Sequence, residues 1–274
     1  MYICPKCQNK LTLSSQTYKC PQGHCFDLSS KGYVNLLLSG KSGIHGDSKE
    51  MLVSRREFLS TGYYAPIIKE LGEILAQKFE TAKEITILDA GCGEGYYSDG
   101  LRNELETRGI SATIYGIDVS KDGVAMAAKK YKQCSFSVAS VNALPFPSES
   151  FDAVVSLFAP IAENEFDRVL KKQGVLVTVS PSPKHLFGLK KAVYDTPYKN
   201  EETTFTPTLF DTSAKKEYSG EITLRNSTEI ANLFKMTPYY HKTGTEGKEK
   251  LAALNSLDTE IGFMFYSFNK KQIQ

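Results

Sequence analysis

Four cysteines and a histidine crowd the first 25 residues at a spacing that suits metal ligation. Cys4-Pro5-Lys6-Cys7 puts two thiols three positions apart on a tight turn, and twelve residues later comes Cys20-Pro21-Gln22-Gly23-His24-Cys25. Two such knuckles supply the four ligands of a tetrahedral zinc site. Spacing admits either His24 or Cys25 beside Cys4, Cys7 and Cys20. A segment this small has little core, so its fold would depend on the metal.

A second chemical signature is Asp89-Ala90-Gly91-Cys92-Gly93-Glu94-Gly95, directly after the apolar run Ile85-Thr86-Ile87-Leu88. It reads as a strand breaking into a Gly-rich loop that lets the backbone approach a ligand, then into a helix. Asp118 closes the next apolar run, Thr113 to Ile117. The Gly91-x-Gly93-x-Gly95 spacing departs from the G-x-G-x-x-G dinucleotide fingerprint. Asp89 at the strand end would oppose a pyrophosphate and suit a cation. Leu144-Pro145-Phe146 reads as an apolar wall for an adenine. S-adenosylmethionine carries an ammonium and a sulfonium and no phosphate, so it is the expected cofactor. Asp118 is expected to accept its ribose hydroxyls.

These residues need a scaffold. Alternating apolar patterns predict strands at 85–90, 113–118, 135–139, 152–158 and 174–180, with helices at about 66–80, 95–108, 121–131 and 162–171 and another near 185–195. Strands at 217–225 and 259–268 flank a helix near 227–235, and the last strand reads as antiparallel. The fold class is α/β, a doubly wound parallel sheet. Asp47 and Glu50 mark the start of a helix over 48–60, whose Met51, Leu52, Arg55, Phe58 and Leu59 share a face while Arg56 turns aside. Residues 39–47 read as an interdomain loop, with His45 solvated. Phe26 to Leu37 is expected to pack within the metal module. Net charge is only +2, but the first 60 residues hold eight Lys or Arg against four Asp or Glu, a surface that could face phosphates. No apolar run is long enough to span a bilayer and no signal peptide opens the chain, so a cytoplasmic protein without a membrane partner is expected.

Taken together, Cys4/Cys7/Cys20/His24, Gly32-Tyr33-Val34-Asn35-Leu36-Leu37, Gly46-Asp47-Ser48, Arg55-Arg56-x-Phe58-Leu59, Gly91-Cys92-Gly93-Glu94-Gly95-Tyr96-Tyr97 and Pro183-x-His185-Leu186 resemble the 23S ribosomal RNA guanine-N1 methyltransferases. The resemblance implies a class I, Rossmann-like S-adenosylmethionine-dependent methyltransferase with a small N-terminal zinc-binding domain. It assigns zinc to Cys4, Cys7, Cys20 and His24. It assigns cofactor contacts to Tyr64, Gly93, Glu94 and His185, beside Asp89, Gly91 and Asp118 from the loop itself. Ser140 stands where many such enzymes carry an acid near the adenine. Glu165 and Arg168 match the family, and a helical i,i+3 ion pair accounts for them.

The implied organisation is 1–38 as a zinc-binding RNA-recognition module, 39–62 as linker and Arg-bearing helix, and 63–274 as the methyltransferase domain. The implied partner is a 23S rRNA hairpin, and the implied assembly a homodimer. Arg55, Arg56, Phe158 and Pro160 are the candidates for holding RNA and the target base. No residue stands out as the general base. A small-molecule methyltransferase of the quinone or lipid type is one rival; a catalytically inactive zinc-ribbon RNA-binding protein is another.

Overall fold

The computed structural model describes residues 1–38, 46–202 and 205–271, so most of the expected 39–47 loop, His45 included, lies outside the described residues. The chain runs β1 (Thr12–Ser14), β2 (Thr17–Lys19), β3 (Cys25–Asp27), β4 (Tyr33–Asn35), α1 (Lys49–Ser60), α2 (Ala65–Lys78), β5 (Glu84–Ala90), α3 (Tyr96–Thr107), β6 (Ser111–Asp118) and α4 (Lys121–Lys130). It continues through β7 (Ser135–Val138), β8 (Phe151–Leu157), α5 (Glu163–Val169), β9 (Leu170–Pro181), α6 (Phe187–Val193), β10 (Phe210–Leu224), α7 (Ser227–Lys235), α8 (Tyr239–Lys242), α9 (Thr245–Ala252) and β11 (Leu257–Lys270).

β1, β2 and β3 form a small antiparallel sheet, and the main sheet has the order β10-β11-β9-β8-β5-β6-β7-β4. From β4 to β9 neighbouring strands are parallel, and β11 enters antiparallel between β9 and β10. The order reverses between β5 and β8. Ligands of open α/β sheets bind outside the strand ends at such a switch point.

Side-chain alternation divides the core in two. Ile85 and Ile87 of β5, with Ala153, Val155, Val175 and Val177, pack beneath α1, α2, α3, α6, α7 and α9. Leu88, Ala90, Val154 and Leu176 face the other way, against α5 and the N-terminal ribbon. The ribbon therefore covers one face of the main sheet. Tyr2 is buried with its ring 5.3 Å from Phe146 and 6.0 Å from Tyr115, and the Ile3 N–H donates to the Pro145 carbonyl at 2.9 Å.

Four expectations are revised here. β4 does not serve the small module alone; it pairs in parallel with β7 through Tyr33–Phe136, Val34–Ser137 and Asn35–Val138. Leu144 and Phe146 form no ligand wall but are buried where the ribbon docks. Glu165 and Arg168 do more than pair along α5. Arg168 donates to the Phe146 and Leu144 carbonyls and Glu165 accepts from the Leu144 N–H, so the pair clamps the docking loop. The α1 N-cap is Ser48 rather than Asp47: the Ser48 hydroxyl accepts from the Met51 N–H at 3.3 Å, while the Asp47 carboxylate pairs with Arg55.

Truncating the ring that seats the ribbon should cost about 3 kcal/mol, the lower end for emptying a buried aromatic position. Tyr2→Ala is expected to show that loss in urea unfolding.

Candidate active site and metal centre

The first knuckle turns after Cys4, where the Gln8 N–H returns to the Cys4 carbonyl; the second turns through Gly23, whose N–H bonds the Cys20 carbonyl. These turns bring the ligand atoms of Cys4, Cys7, Cys20 and His24 within 4.8 Å of one another. Individual edges are 3.5 Å (Cys4 Sγ to His24 Nδ1), 3.4 Å (Cys20 Sγ to His24 Nδ1) and 3.6 Å (Cys7 Sγ to Cys20 Sγ). A tetrahedron with zinc's usual bond lengths has edges of about 3.5–3.8 Å, so the donor set fits that ion. Cys25 is exposed, with its thiol on the Gly23 carbonyl, outside the cluster. The Asn9 side chain bonds the Cys7 sulfur and draws its thiol down to about 6, while burial raises that of Cys4.

At the carboxyl ends of β5, β6, β8 and β9 lies a cavity of about 1210 Å³, bounded by α1 on one side and β11 on the other. Its floor is the Gly-rich loop. Gly91 has φ +94°, and a Cβ there would sit 2.5 Å from the Ala159 methyl. Gly95 has φ +87° and caps α3; a Cβ there would meet Ala127 at 2.8 Å and Tyr131 at 2.9 Å. Neither position tolerates a side chain. Asp118 fixes the loop from β6: one oxygen accepts the Gly93 N–H at 2.9 Å, the other the Ser120 N–H at 2.7 Å. Burial raises the Asp118 carboxyl, and the two N–H donors pull it back.

Glu94 is the site's unfinished group. It is buried in the cavity lining; Oε1 accepts from the Tyr96 N–H at 3.2 Å, and Oε2 is buried without a hydrogen-bond partner among the described residues. An acceptor stranded in this way calls for a donor from a ligand. Burial raises its carboxyl, opposed by the charges of Lys130, Arg55 and Arg56. The ammonium or hydroxyls of an adenosyl amino acid supply such donors.

Asp89 departs from expectation. It lies behind the loop, outside the cavity lining, where it accepts from the Ser98 hydroxyl and ties β5 to α3. Burial pushes its carboxyl up to about 7. Tyr64 and His185 do reach the cavity. The His185 Nδ1 accepts the Gly262 N–H at 3.2 Å, which leaves the proton on Nε2, 3.1 Å from the Tyr64 hydroxyl. Burial lowers its imidazole to about 3, so it stays neutral at ordinary pH and is no acid–base group there.

Arg55 lines the cavity, paired with Asp47 and lying against Gly93; Arg56 lies outside the lining. Phe158 is 45% exposed, not a core ring, and takes φ +54° at the end of β8. Strain of this kind costs about 1–3 kcal/mol and concentrates at ligand sites. Pro160 shares the same rim. The segment after β7 lines the cavity through Ala139, Ser140, Val141 and Asn142. Sequence reasoning missed Glu202, Phe205, Tyr266 and Phe268 on the β11 side, together with Tyr239 and with His241, which lies against Met51 of α1. Only the alternation of Tyr266 and Phe268 along β11 could have pointed there.

Fold and cavity define a Rossmann-like α/β methyltransferase carrying a zinc ribbon. Residues 81–236 match the methyltransferase-domain family, and residues 2–39 match the N-terminal zinc ribbon of RlmA. A Bacillus subtilis (strain 168) protein named as a candidate 23S rRNA (guanine-N(1)-)-methyltransferase, YxjB, is 32% identical over 95% of this chain and 94% of its own. The 23S rRNA (guanine(748)-N(1))-methyltransferase of Streptomyces fradiae is 31% identical over 69% of this chain and 66% of its own. The chain belongs to this 23S rRNA (guanine-N1)-methyltransferase family. Enzymes of this fold take their methyl group from S-adenosylmethionine, and ribbons of this kind close on zinc.

Cys7→Ser should release zinc, read as metal content of the purified protein, and lower the melting temperature because the ribbon covers a sheet face. His185 gives a pH test. Its folded pKa of about 3 lies below the ordinary 6.5, so between those values only the unfolded chain binds the proton. Stability is complete above pH 6.5 and falls as pH falls. From pH 7 to pH 5 this group alone should remove about 2 kcal/mol. His185→Gln is expected to lose that much less over the same interval in urea unfolding.

Proposed function

We propose that this protein transfers the methyl group of S-adenosylmethionine to N1 of a guanine in a hairpin loop of 23S rRNA, in the cytoplasm and as a homodimer. The observation that carries the reading is the cavity itself. The Gly loop and a Glu94 oxygen that has no partner among the described residues share one space with an exposed, strained aromatic at its rim. The relatives support the RNA substrate, since their names state it and one aligns over nearly the full length. The hairpin and the dimer rest on the sequence resemblance.

The cofactor supplies an electrophilic methyl group. Asp118 accepts from its ribose, Glu94 from its remaining donors, and the backbone of Gly91 and Gly93 lies against it. Tyr64 and His185 shape the side nearest α2. Arg55, spent on Asp47 and the loop, steadies the cofactor side, while Arg56 is left for RNA phosphate.

The guanine must be unpaired, because N1 lies on its Watson–Crick edge. Phe158 stacks on the extruded base and Pro160 limits its tilt. The ribbon, fixed by zinc through Cys4, Cys7, Cys20 and His24, grips the flanking RNA. N1 must lie in line with the methyl group at about 3–3.5 Å and must lose its proton.

Methylated N1 stops reverse transcriptase. Incubating unmodified 23S rRNA with the purified protein and cofactor should produce one new primer-extension stop beside a guanine; its absence overturns the reading. Asp118→Ala should weaken cofactor binding roughly ten- to a hundredfold by calorimetry, the worth of charged hydrogen bonds, with RNA affinity nearly unchanged.

A further inference from the structure

N1 methylation needs a proton acceptor on the target side of the cavity. Four carboxylates line the cavity among the described residues: Asp47, Glu94, Asp118 and Glu202. Three lie on the Gly-loop side, where Asp47 pairs with Arg55, Glu94 accepts from the Tyr96 N–H through Oε1, and Asp118 accepts from the Gly93 and Ser120 N–H groups. Glu202 stands on the opposite wall. His185, the other titratable candidate, is neutral with its free nitrogen taken by Gly262.

Glu202 is held for such a task. The Tyr266 hydroxyl on β11 donates to its Oε1 at 2.9 Å, and the Lys215 ammonium on β10 pairs with that same oxygen. Oε2 takes part in neither bond. Lys215, with help from Tyr266, keeps the carboxyl below its usual range, so it is ionised at neutral pH.

Strand register connects this group to the floor of the cavity that Phe158 also lines. Ser156 lies opposite Thr178, and Thr178 opposite Tyr266, and all three line the cavity. Cross-strand partners project from one face, so the row crosses the cavity floor from β8 to Tyr266, the residue that holds Glu202. Two strand spacings, roughly 10 Å, separate Ser156 from Tyr266 across β9, and the base has to lie above that row, in the cavity.

We infer that Glu202, held by Tyr266 and Lys215, is the catalytic carboxylate that accepts the N1 proton of the target guanine. The inference rests on the proposed guanine-N1 reading. The N1–H bond breaks and its proton passes to Oε2. The electron pair left on N1 forms the new bond to the methyl carbon, and the pair of the broken methyl–sulfur bond stays on sulfur, cancelling its positive charge. The same carboxylate disfavours adenine, whose N1 carries a lone pair and no hydrogen.

The test is single-turnover methyl transfer to 23S rRNA between pH 6 and 9, with cofactor binding followed by calorimetry. Glu202→Gln is expected to bind cofactor like wild type and to lose about a hundredfold or more in rate at pH 7, the usual share of a general base. Its rate should climb with pH as solution base removes the N1 proton, while the wild-type rate stays flat. Glu202→Asp should recover part of the rate and the flat profile. A Glu202→Gln rate within about threefold of wild type, a loss equal at every pH, or an Asp variant no better than Gln overturns the assignment. Wild-type protein that leaves no stop at a guanine overturns the functional reading, and the assignment with it. Normal wild-type activity with an unaffected Glu202→Gln overturns the assignment alone.

Discussion

The structure turns on how closely the backbone between β5 and α3 passes its neighbours. The Gly91 and Cys92 N–H groups both donate to the Ile117 carbonyl, and Gly93 donates to Asp118. These bonds hold the loop flat against the end of β6, and the Ala159 methyl closes it from the β8 side. With the loop pinned between two strand ends, the first turn of α3 is aimed at the cavity and Glu94 is buried there. Asp89 secures the rear through Ser98. One carboxylate thus positions the loop from the cavity side and another from behind. Burial raises both carboxyls, and the Asp118 charge adds to the rise at Asp89.

The ribbon is a structural part of the catalytic domain as well as a module beside it. Its aromatic side chain Tyr2 sits among Tyr18, Tyr115 and Phe146, and β4 completes the sheet edge. The docking loop 144–146 is held in turn by Arg168 and Glu165. Ligation at the zinc cluster and packing beneath the sheet are therefore joined through a short run of buried contacts.

Much of the fold was legible because its strands are long and apolar. The runs 85–90, 113–118 and 152–158 became β5, β6 and β8 within two residues of the expected limits, and the terminal run became the antiparallel β11. The Gly loop and the zinc cluster were legible because their chemistry is local in sequence. What escaped depends on pairings between distant segments. β4 is three residues long and finds its partner a hundred positions away. β10 is exposed along most of its length, so its first half carries no apolar alternation. Leu144-Pro145-Phe146 looked like a ligand wall because an apolar tripeptide after a strand gives no sign of which surface it meets. Glu202 and His241 had no local context, since Glu202 reaches the cavity through Tyr266 of β11 and His241 through Met51 of α1.

The bond from Ile3 to Pro145 and the pairing of Tyr33 with Phe136 also set an order of assembly. During synthesis the ribbon leaves the ribosome long before the surface that receives it exists. A segment with so little core of its own would stay unravelled through that delay, open to proteases and wrong partners. Capture of a metal ion lets it wait in finished form. The edge of the main sheet is then closed by residues made well before the strand they join.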